Sequence, residues 1–416
     1  MKVFLVNAKR TAIGKFLGSF YENDYASVSV QLLNNLLEGI NKNDIDMTIV
    51  GNVISANMGQ GFFRKISVNA GIPIEKPSYG VNMVCGSGMM AIINAVKEIK
   101  CGSSLVVAGG VEFMSNIPYA TNTYIRLGKK FGNFEMTDLM VSDGLTDTFS
   151  GVHMGITAEN IARELNITRE QQDEYSFVAQ KKAIEAIDSG MFKDEIVPVI
   201  VKDYKGKEFV FDVDEFPNRS STIEKINSLK PTFLKDGTGT ITAASSSGIN
   251  DGASFVTIAS EDYVKKNNLS CLAEVVDYSA VGCDPQKMGL GPYFAIKELL
   301  NKNGLKPSDI DFFEINEAFA AQLLGSLKLL SKEYDVELDS LLKKTNIFGS
   351  GLALGHPLGA TGARIVTTLS YIMKKKKAKY GIASLCIGGG QGTAILLRSI
   401  DNEWIKKQSC YSYWRN

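Results

Sequence analysis

Four residues stand in settings suited to acyl or proton transfer: Cys85, Asn316, His356 and Cys386. Cys85 lies in VNMVCGSGMMA (81–91), between an extended apolar approach and a small-residue turn. Met89, Met90, Ile92, Ile93, Val96 and Ile99 then fall close to one face of a 3.6-residue period. This spacing predicts a helix starting just after Cys85, with Gly86, Ser87 and Gly88 at its beginning. A thiol at a helix N-terminus faces backbone N–H groups and the positive end of the dipole, so a lowered pKa is expected. A lone cysteine on such a helix would ordinarily be a core residue; the other three segments favour chemistry. His356 lies in GSGLALGHPLGATGAR (349–364), where Pro357 suits the first position of a second helix. The positive helix end favours a neutral imidazole, hence a base. Cys386 opens CIGGGQG (386–392) after an apolar strand, and successive glycines there can offer N–H groups to an oxyanion or a phosphate. A dinucleotide fingerprint is not met, because position 393 is Thr. Asn316 opens NEAFA (316–320) after another strand and reads as a turn cap or as the holder of a water or oxyanion.

The elements that must position these residues alternate. Val3–Val6 reads as a buried strand. Asp24 caps a helix through Val28, Leu32, Leu33, Leu36, Leu37 and Ile40, and Met47–Ile54 is a second strand. After the Cys85 helix, Ser104–Ala108 reads as a strand closed by Gly109 and Gly110. Residues 119–248 change character, with polar turns and short apolar pieces, and read as an insertion. Within it Thr168-x-x-Gln171 is a capping box opening a helix to about Ser189, ended by Gly190. Strands resume at Phe255–Ala259 and Leu272–Tyr278. A repeat then emerges. Asp309-Ile310-Asp311, Phe312–Ile315 and Asn316 echo Asp44-Ile45-Asp46, a strand and Asn52; glycine-rich helix starts follow at Cys85 and at His356; then come apolar strands ending in glycines, Leu105–Gly110 and Ile382–Gly390. The expected fold is α/β: two pseudo-twofold-related layered halves, the first interrupted by an inserted loop domain. Cys85 and His356 then occupy matching helix N-termini and can face one cleft.

Composition sets the outer bounds. A chain of 416 residues, 44% hydrophobic and 22% charged, suits a globular enzyme of two or three domains. Forty-five basic residues balance forty-five acidic ones, so no global field draws in nucleic acid or an anionic membrane. No apolar stretch approaches membrane-span length, and a cytoplasmic location is expected. Six scattered cysteines without a CxxC pair, and only two histidines, argue against a disulfide framework or a metal centre.

Together these segments resemble the thiolase family. VNMVCGSGMMA is similar to its nucleophile segment, NEAFA to its asparagine segment, GLALGHPLGATGAR to its histidine segment and CIGGGQG to its second-cysteine segment. VFLVNAKRTAIGKF, HMGITAEN (153–160), SGINDGA (247–253) and MGLGP (288–292) agree, so the resemblance runs from about residue 2 to 399 in the family's order. It implies a thiolase-like fold with halves at 1–118 plus 249–269 and at 270–399, a loop domain at 119–248 that binds CoA and supports oligomerisation, and an extra tail at 400–416. The implied activity is reversible condensation of two acetyl-CoA to acetoacetyl-CoA and CoA through an acyl-cysteine. Cys85 would be the nucleophile and His356 would take its proton. Cys386 would be the acid/base at the acyl-CoA α-carbon. Asn316 would hold a water completing one oxyanion site with His356, and the N–H groups of Cys85 and Gly388 would form the other. Phe233, Ala243 and Ser247 would lie along the CoA. Leu145, His153, Met154, Met288, Ala318 and Phe319 would line the acyl and thioester region, with Arg219 toward the phosphates. Met89 and Met90 would fill space near the acyl group. CoA thioesters are substrates here; no cofactor and no metal is implied, and the expected assembly is a homotetramer, a dimer of dimers. Two departures from the family pattern stand out: Gly349-Ser350 where Gly-Gly is usual, and Ala244-Ser245-Ser246 where Gly-Asn is usual.

The Cys-Gly-Ser-Gly form favours the short-chain branch of the family. The alternatives are a broader-chain degradative 3-ketoacyl-CoA thiolase and a non-catalytic acyl-binding protein on the same fold. Two thiols facing one cleft also suggest that mild oxidation could join Cys85 to Cys386.

Overall fold

The carboxylates of Asp46 and Asp311 act alike in two places. Asp46 Oδ2 accepts the N–H groups of Ser104 and Leu105 at 2.6 and 3.1 Å; Asp311 Oδ2 accepts those of Lys379 and Tyr380 at 2.7 and 2.9 Å. Each aspartate ties the start of one strand to the start of its parallel neighbour. The repeat extends to the strands themselves. In this computed structural model, which describes residues 1–400, the first half contributes β1 (Val3–Arg10), β2 (Met47–Gly51), β3 (Ser78–Val81), β4 (Leu105–Phe113) and β5 (Asn250–Ser260). The second contributes β6 (Ala273–Gly282), β7 (Phe312–Ile315), β8 (Tyr380–Ile387) and β9 (Gln391–Arg398). β1 pairs antiparallel with β5, β5 antiparallel with β4, and β4 parallel with β2. The path β6–β9–β8–β7 repeats those pairings in the same order. β3 extends the first half beside β2, and a single parallel bridge from Phe313 to Thr345 takes the matching place in the second. The half-sheets join where β1 meets β6, at Phe4–Glu274 and Leu5–Ala273.

The helices that matter for the site are α1 (Tyr25–Leu36), α2 (Ser87–Lys100), α3 (Met154–Glu164), α4 (Arg169–Asp188), α5 (Ala320–Tyr334) and α6 (Leu358–Lys376). Asp24 caps α1 as its sequence predicts, accepting from Ala26 and Ser27, and Thr168 and Gln171 form the expected capping box on α4. α2 and α6 cross within the core, and every residue from Leu358 to Met373 is buried. Their approach is too close for side chains. A Cβ on Gly88 would lie 2.7 Å from Gly359 O, and one on Gly362 would lie 2.3 Å from Met89 N.

The same crossing corrects a strand boundary. β4 does not stop at Gly109 and Gly110 but runs on to Phe113. A Cβ on Gly109 would meet Ser254 O at 2.1 Å, and one on Gly110 would meet Gly359 O at 1.9 Å. Both glycines serve close approach rather than a turn. In the second half the strand ends at Ile387, and Gly388–Gly390 form the turn into β9, which the sequence reading had not separated from β8. Met89 is also displaced from expectation: it lies in the core beneath the α2–α6 crossing rather than beside an acyl group.

Residues 119–248 lie between β4 and β5. Their hairpins, Tyr119–Thr121 with Met136–Asp138 and Val199–Lys202 with Glu208–Phe211, form separate two-stranded sheets. The segment is anchored to β1 by a buried cluster in which Arg10 donates to Glu195 at 2.5 Å and to both oxygens of Asp214 at 2.7 and 2.9 Å. The tail expected from sequence, with Trp404, Cys410 and Trp414, lies outside the described residues apart from Ile400.

Candidate active site

Cys85 sits in the short link between β3 and α2, two residues before the helix, with Gly86 as its N-cap. No side chain caps α2, so its first N–H groups remain directed at the site. The backbone N–H groups of Gly388 and of Cys85 itself act on the Cys85 sulfur and favour its anion. Burial outweighs them. The thiol is pushed up to about 11, by burial first and by the nearby Glu112 carboxylate as well. The expected lowering is therefore reversed: the N–H groups do favour the anion, but around this half-buried residue the loss of hydration outweighs them. The alkylation rate of Cys85 by iodoacetamide should accordingly keep rising past pH 9.0, the ordinary thiol value, toward about 11, with no plateau near neutrality. Tryptic mass mapping of the alkylated cysteine across a pH series checks this.

His356 lies between Gly355, at φ 103°, and Pro357, the N-cap of α6. Its main-chain N–H donates to Asn250 Oδ1 at 3.0 Å, while Asn250 Nδ2 donates to Gly14 O at 3.0 Å. The ring is held on both sides. Nδ1 lies 2.7 Å from Thr361 Oγ1, and Nε2 lies 3.4 Å from Asn316 Nδ2. Thr361 Oγ1 also donates to Pro357 O at 2.9 Å, one helical turn back. A hydroxyl has one proton to give. With that proton on Pro357 O, Thr361 accepts from Nδ1–H, and Nε2 keeps its lone pair toward the cleft. Burial, reinforced by the Arg364 charge, lowers the histidine to about 3, so the resting ring is neutral. Thr361→Val should therefore lower kcat/KM by roughly tenfold to a hundredfold, the scale of one hydrogen bond to a charged group. Thr361→Ser should keep most of the activity, and steady-state kinetics of the two variants are the check.

Asn316 follows β7, its N–H donating to Ser384 O at 3.0 Å. Its Oδ1 is buried without a hydrogen-bond partner among the described residues, and a Cβ on Gly351 would come within 2.6 Å of it. Cys386 is the penultimate residue of β8, opposite Gly392 of β9. It is buried, and its thiol is raised well above the usual range by burial and by the Cys85 and Cys283 thiols. The turn after it holds Gly389 and Gly390 at φ 82°, a region glycine adopts without strain. The described cysteines are all free.

Met154, Met288, Ala318 and Phe319 join Cys386 in one apolar cluster, with Phe233 at its edge. His153 caps α3 through Nδ1, which accepts the Gly155 N–H at 3.1 Å, and its ring stacks on Phe233 at 4.8 Å. Phe233 meets Phe319 edge-on at 6.1 Å. Ser247 N–H donates to Ala318 O at 2.9 Å. Leu145 ends the π-helical turn Met140–Leu145, half-buried and outside that cluster. Ala243 and Arg219 line a cleft of about 1010 Å³ with Phe216, Leu229 and Ser246. The Arg219 guanidinium already forms a two-point pair with Asp188, at 2.7 and 3.0 Å, on the surface. A phosphate there would compete with a carboxylate.

Buried acids that the motifs did not single out complete the site. Glu112 accepts from the N–H groups of Val53, Ile54 and Gly359 at 2.8, 3.2 and 2.9 Å and from Asn52 Nδ2 at 3.2 Å. It thereby serves the N-terminus of α6, which has no capping side chain of its own. Glu314 pairs with Arg364 at 2.9 Å, and Ser350 Oγ bonds to both, at 2.9 Å to Glu314 and 3.0 Å to Arg364. The departure at Ser350 thus satisfies a buried ion pair. The available sequence signal was a charge inside an apolar run: Glu112 in VVAGGVEF, and Glu314 in FFEI.

Comparison with known proteins finds one family along nearly the whole chain. The thiolase N-terminal domain model matches residues 3–262, and the thiolase C-terminal domain model matches residues 269–399. An acetyl-CoA acetyltransferase from Thiocystis violacea is 42% identical over 401 residues, 96% of this chain and 99% of that protein. The crystal structure of the Bacillus anthracis acetyl-CoA acetyltransferase superposes with a TM-score of 0.90 at 40% identity, covering 96% of this chain and 99% of that one. Human mitochondrial 3-ketoacyl-CoA thiolase superposes with a TM-score of 0.89 at 39% identity, with the same coverage.

Proposed function

The chain belongs to the thiolase family, and from that premise we propose that it is an acetyl-CoA C-acetyltransferase, reversibly joining two acetyl-CoA into acetoacetyl-CoA and CoA. The observation that carries the mechanism is the proximity of two thiols, Cys85 and Cys386, together with a neutral histidine whose Nε2 lone pair faces the Asn316 amide.

In the first half-reaction, Cys85 passes its proton to His356 Nε2 and its sulfur attacks the acetyl carbonyl of acetyl-CoA. Burial disfavours a thiolate alone and an imidazolium alone, but the two formed together neutralise each other. The N–H groups of Cys85 and Gly388 receive the tetrahedral oxyanion. Collapse expels the CoA thiolate, which takes the proton from His356 and leaves an acetyl thioester on Cys85. In the second half-reaction, Cys386 gives its thiol proton to the neutral His356, and the resulting thiolate removes a proton from the methyl group of a second acetyl-CoA. The enolate oxygen is stabilised by the His356 imidazolium and by a water on Asn316, and the carbanion attacks the acetyl-Cys85 carbonyl; collapse releases acetoacetyl-CoA and the Cys85 thiolate, which takes its proton back from His356 and leaves Cys386 as a thiol. These are acyl and proton transfers only, so the chemistry calls for no redox group or metal.

Three further readings belong with this one. Residues 119–248 bind CoA, with Phe233, Ala243 and Ser247 along the pantetheine. The assembly is a homotetramer: the hairpin region carries Leu127 at 83% and Phe131 at 95% exposure, alongside exposed Tyr124 and Phe134, which are costly in water. The protein works in the cytoplasm; no described helix is long and apolar enough to cross a membrane.

A broader-chain degradative thiolase is the second reading, favoured by the superposition on the human 3-ketoacyl-CoA thiolase. The aromatic and Met side chains around Cys386 support a short acyl group. CoA-dependent cleavage of acetoacetyl-CoA, compared with a long 3-ketoacyl-CoA, tests the choice. A kcat/KM at least about tenfold higher for acetoacetyl-CoA is expected, corresponding to about 1.4 kcal/mol; equal or inverted values favour the broader reading.

A further inference from the structure

Val84, directly before Cys85, has φ 44°. A β-branched residue in the left-handed region is an outlier, since its Cβ crowds the following carbonyl. It persists because its surroundings over-determine it. Asn82 Oδ1 accepts the Val84 N–H at 3.0 Å, and Asn82 Nδ2 is tied to Val53 O at 3.0 Å. Ser87 Oγ accepts the Met83 N–H at 2.9 Å and donates to Val84 O at 2.6 Å. Gly86 N–H closes a turn on Met83 O at 2.9 Å. Ser87 is wholly buried, so its hydroxyl has no water to serve.

Glycine would adopt this backbone without strain, yet the position holds valine. Its side chain has a use: a Cβ on Gly388 would lie 3.4 Å from Val84 Cγ1, so valine forms a wall beside the Gly388 N–H. The position therefore needs a branched side chain and a left-handed backbone together.

We propose that Ser87, assisted by Asn82, is a positioning residue that clasps Val84 in its left-handed conformation and thereby aims the Cys85 sulfur between the N–H groups of Cys85 and Gly388. The proposal rests on Cys85 being the acyl-accepting nucleophile. It predicts that the clasp matters for acylation rather than for CoA affinity.

The test is rapid-quench acetylation by acetyl-CoA, read as the acetyl adduct on the Cys85 peptide by mass spectrometry, with melting temperatures measured alongside. Ser87→Ala should acylate about tenfold to a hundredfold more slowly, the scale of a small misplacement of the attacking atom, with the acetyl-CoA concentration dependence nearly unchanged. Adding Val84→Gly should restore several-fold of that loss, because glycine enters the left-handed region unaided. Adding Val84→Ala instead should restore clearly less than glycine does, because alanine keeps the Cβ that crowds the following carbonyl. A Ser87→Ala rate within about twofold of the parent, or equal behaviour of the glycine and alanine double variants, overturns the proposal. If Ser87→Ala does not fold, Asn82→Ala at an exposed site carries the same comparison, with a several-fold loss expected and no loss fatal. A parent protein that forms no adduct at Cys85 removes the premise itself, which is distinguishable from either result.

Discussion

Replacing Cys85 with serine should abolish CoA-dependent loss of acetoacetyl-CoA, lowering kcat by about 10⁴-fold or more, as removal of other covalent nucleophiles does. The reason is specific to this site. A serine hydroxyl is far less acidic than a thiol, and here even the thiol is raised to about 11 by burial. His356, lowered to about 3, is too weak a base to draw a proton from an alcohol. The oxygen would lie in the same N–H cradle but could not be activated. CoA binding should persist, because Cys85 does not line the cleft formed by Ala243 and Ser246. Isothermal titration with CoA, beside the activity assay, separates lost chemistry from lost folding. A variant retaining a tenth of the parent rate would mean that another group carries the acyl chain.

The second large effect divides the two half-reactions. Cys386→Ser should retain exchange of labelled CoA into acetyl-CoA, which needs only Cys85 and His356, while condensation and thiolysis fall by about 10² to 10⁴-fold, the usual share of a general acid/base. Cys386 is buried beside Met154, Met288 and Phe319, where the smaller, harder oxygen loses little volume, so the fold should tolerate it. Equal loss of exchange and condensation would place Cys386 in acyl transfer instead. A loss of condensation alone fixes it at the α-carbon.

What could be read in the sequence depended on locality. The Cys85 and His356 helix starts were visible because glycine, serine and proline mark such positions, and the Asp46/Asp311 repeat was visible because the same short pattern opens matching strands. Side-chain partners distant in sequence were not visible. Asn250 lies inside a segment whose shape was recognised, yet its bond to the His356 main chain exists only once β5 meets the start of α6, whereas the Thr361 bond, five residues along the same segment, was local and simply not drawn. The Cys85 pKa was misjudged for the reason that hid the Asn250 bond: the helix end is local, whereas burial and the Glu112 carboxylate act on the thiol only in the folded chain. Gly109 and Gly110 were read as a strand stop because glycine usually is one; only the β5 backbone beside Gly109 and the α6 backbone over Gly110 show their other use.

That crossing determines how the molecule tolerates change. Where α2 and α6 pass, backbone rests on backbone, at Gly88 against Gly359 O and at Gly362 against Met89 N. The gap between the two helix starts, and so between the attacking sulfur and its base, is set by a hard stop rather than by the shapes of neighbouring side chains. The surrounding hydrophobic residues can drift in size over generations without retuning the chemistry, whereas a single methyl group added at the stop would pry the two halves of the reaction apart.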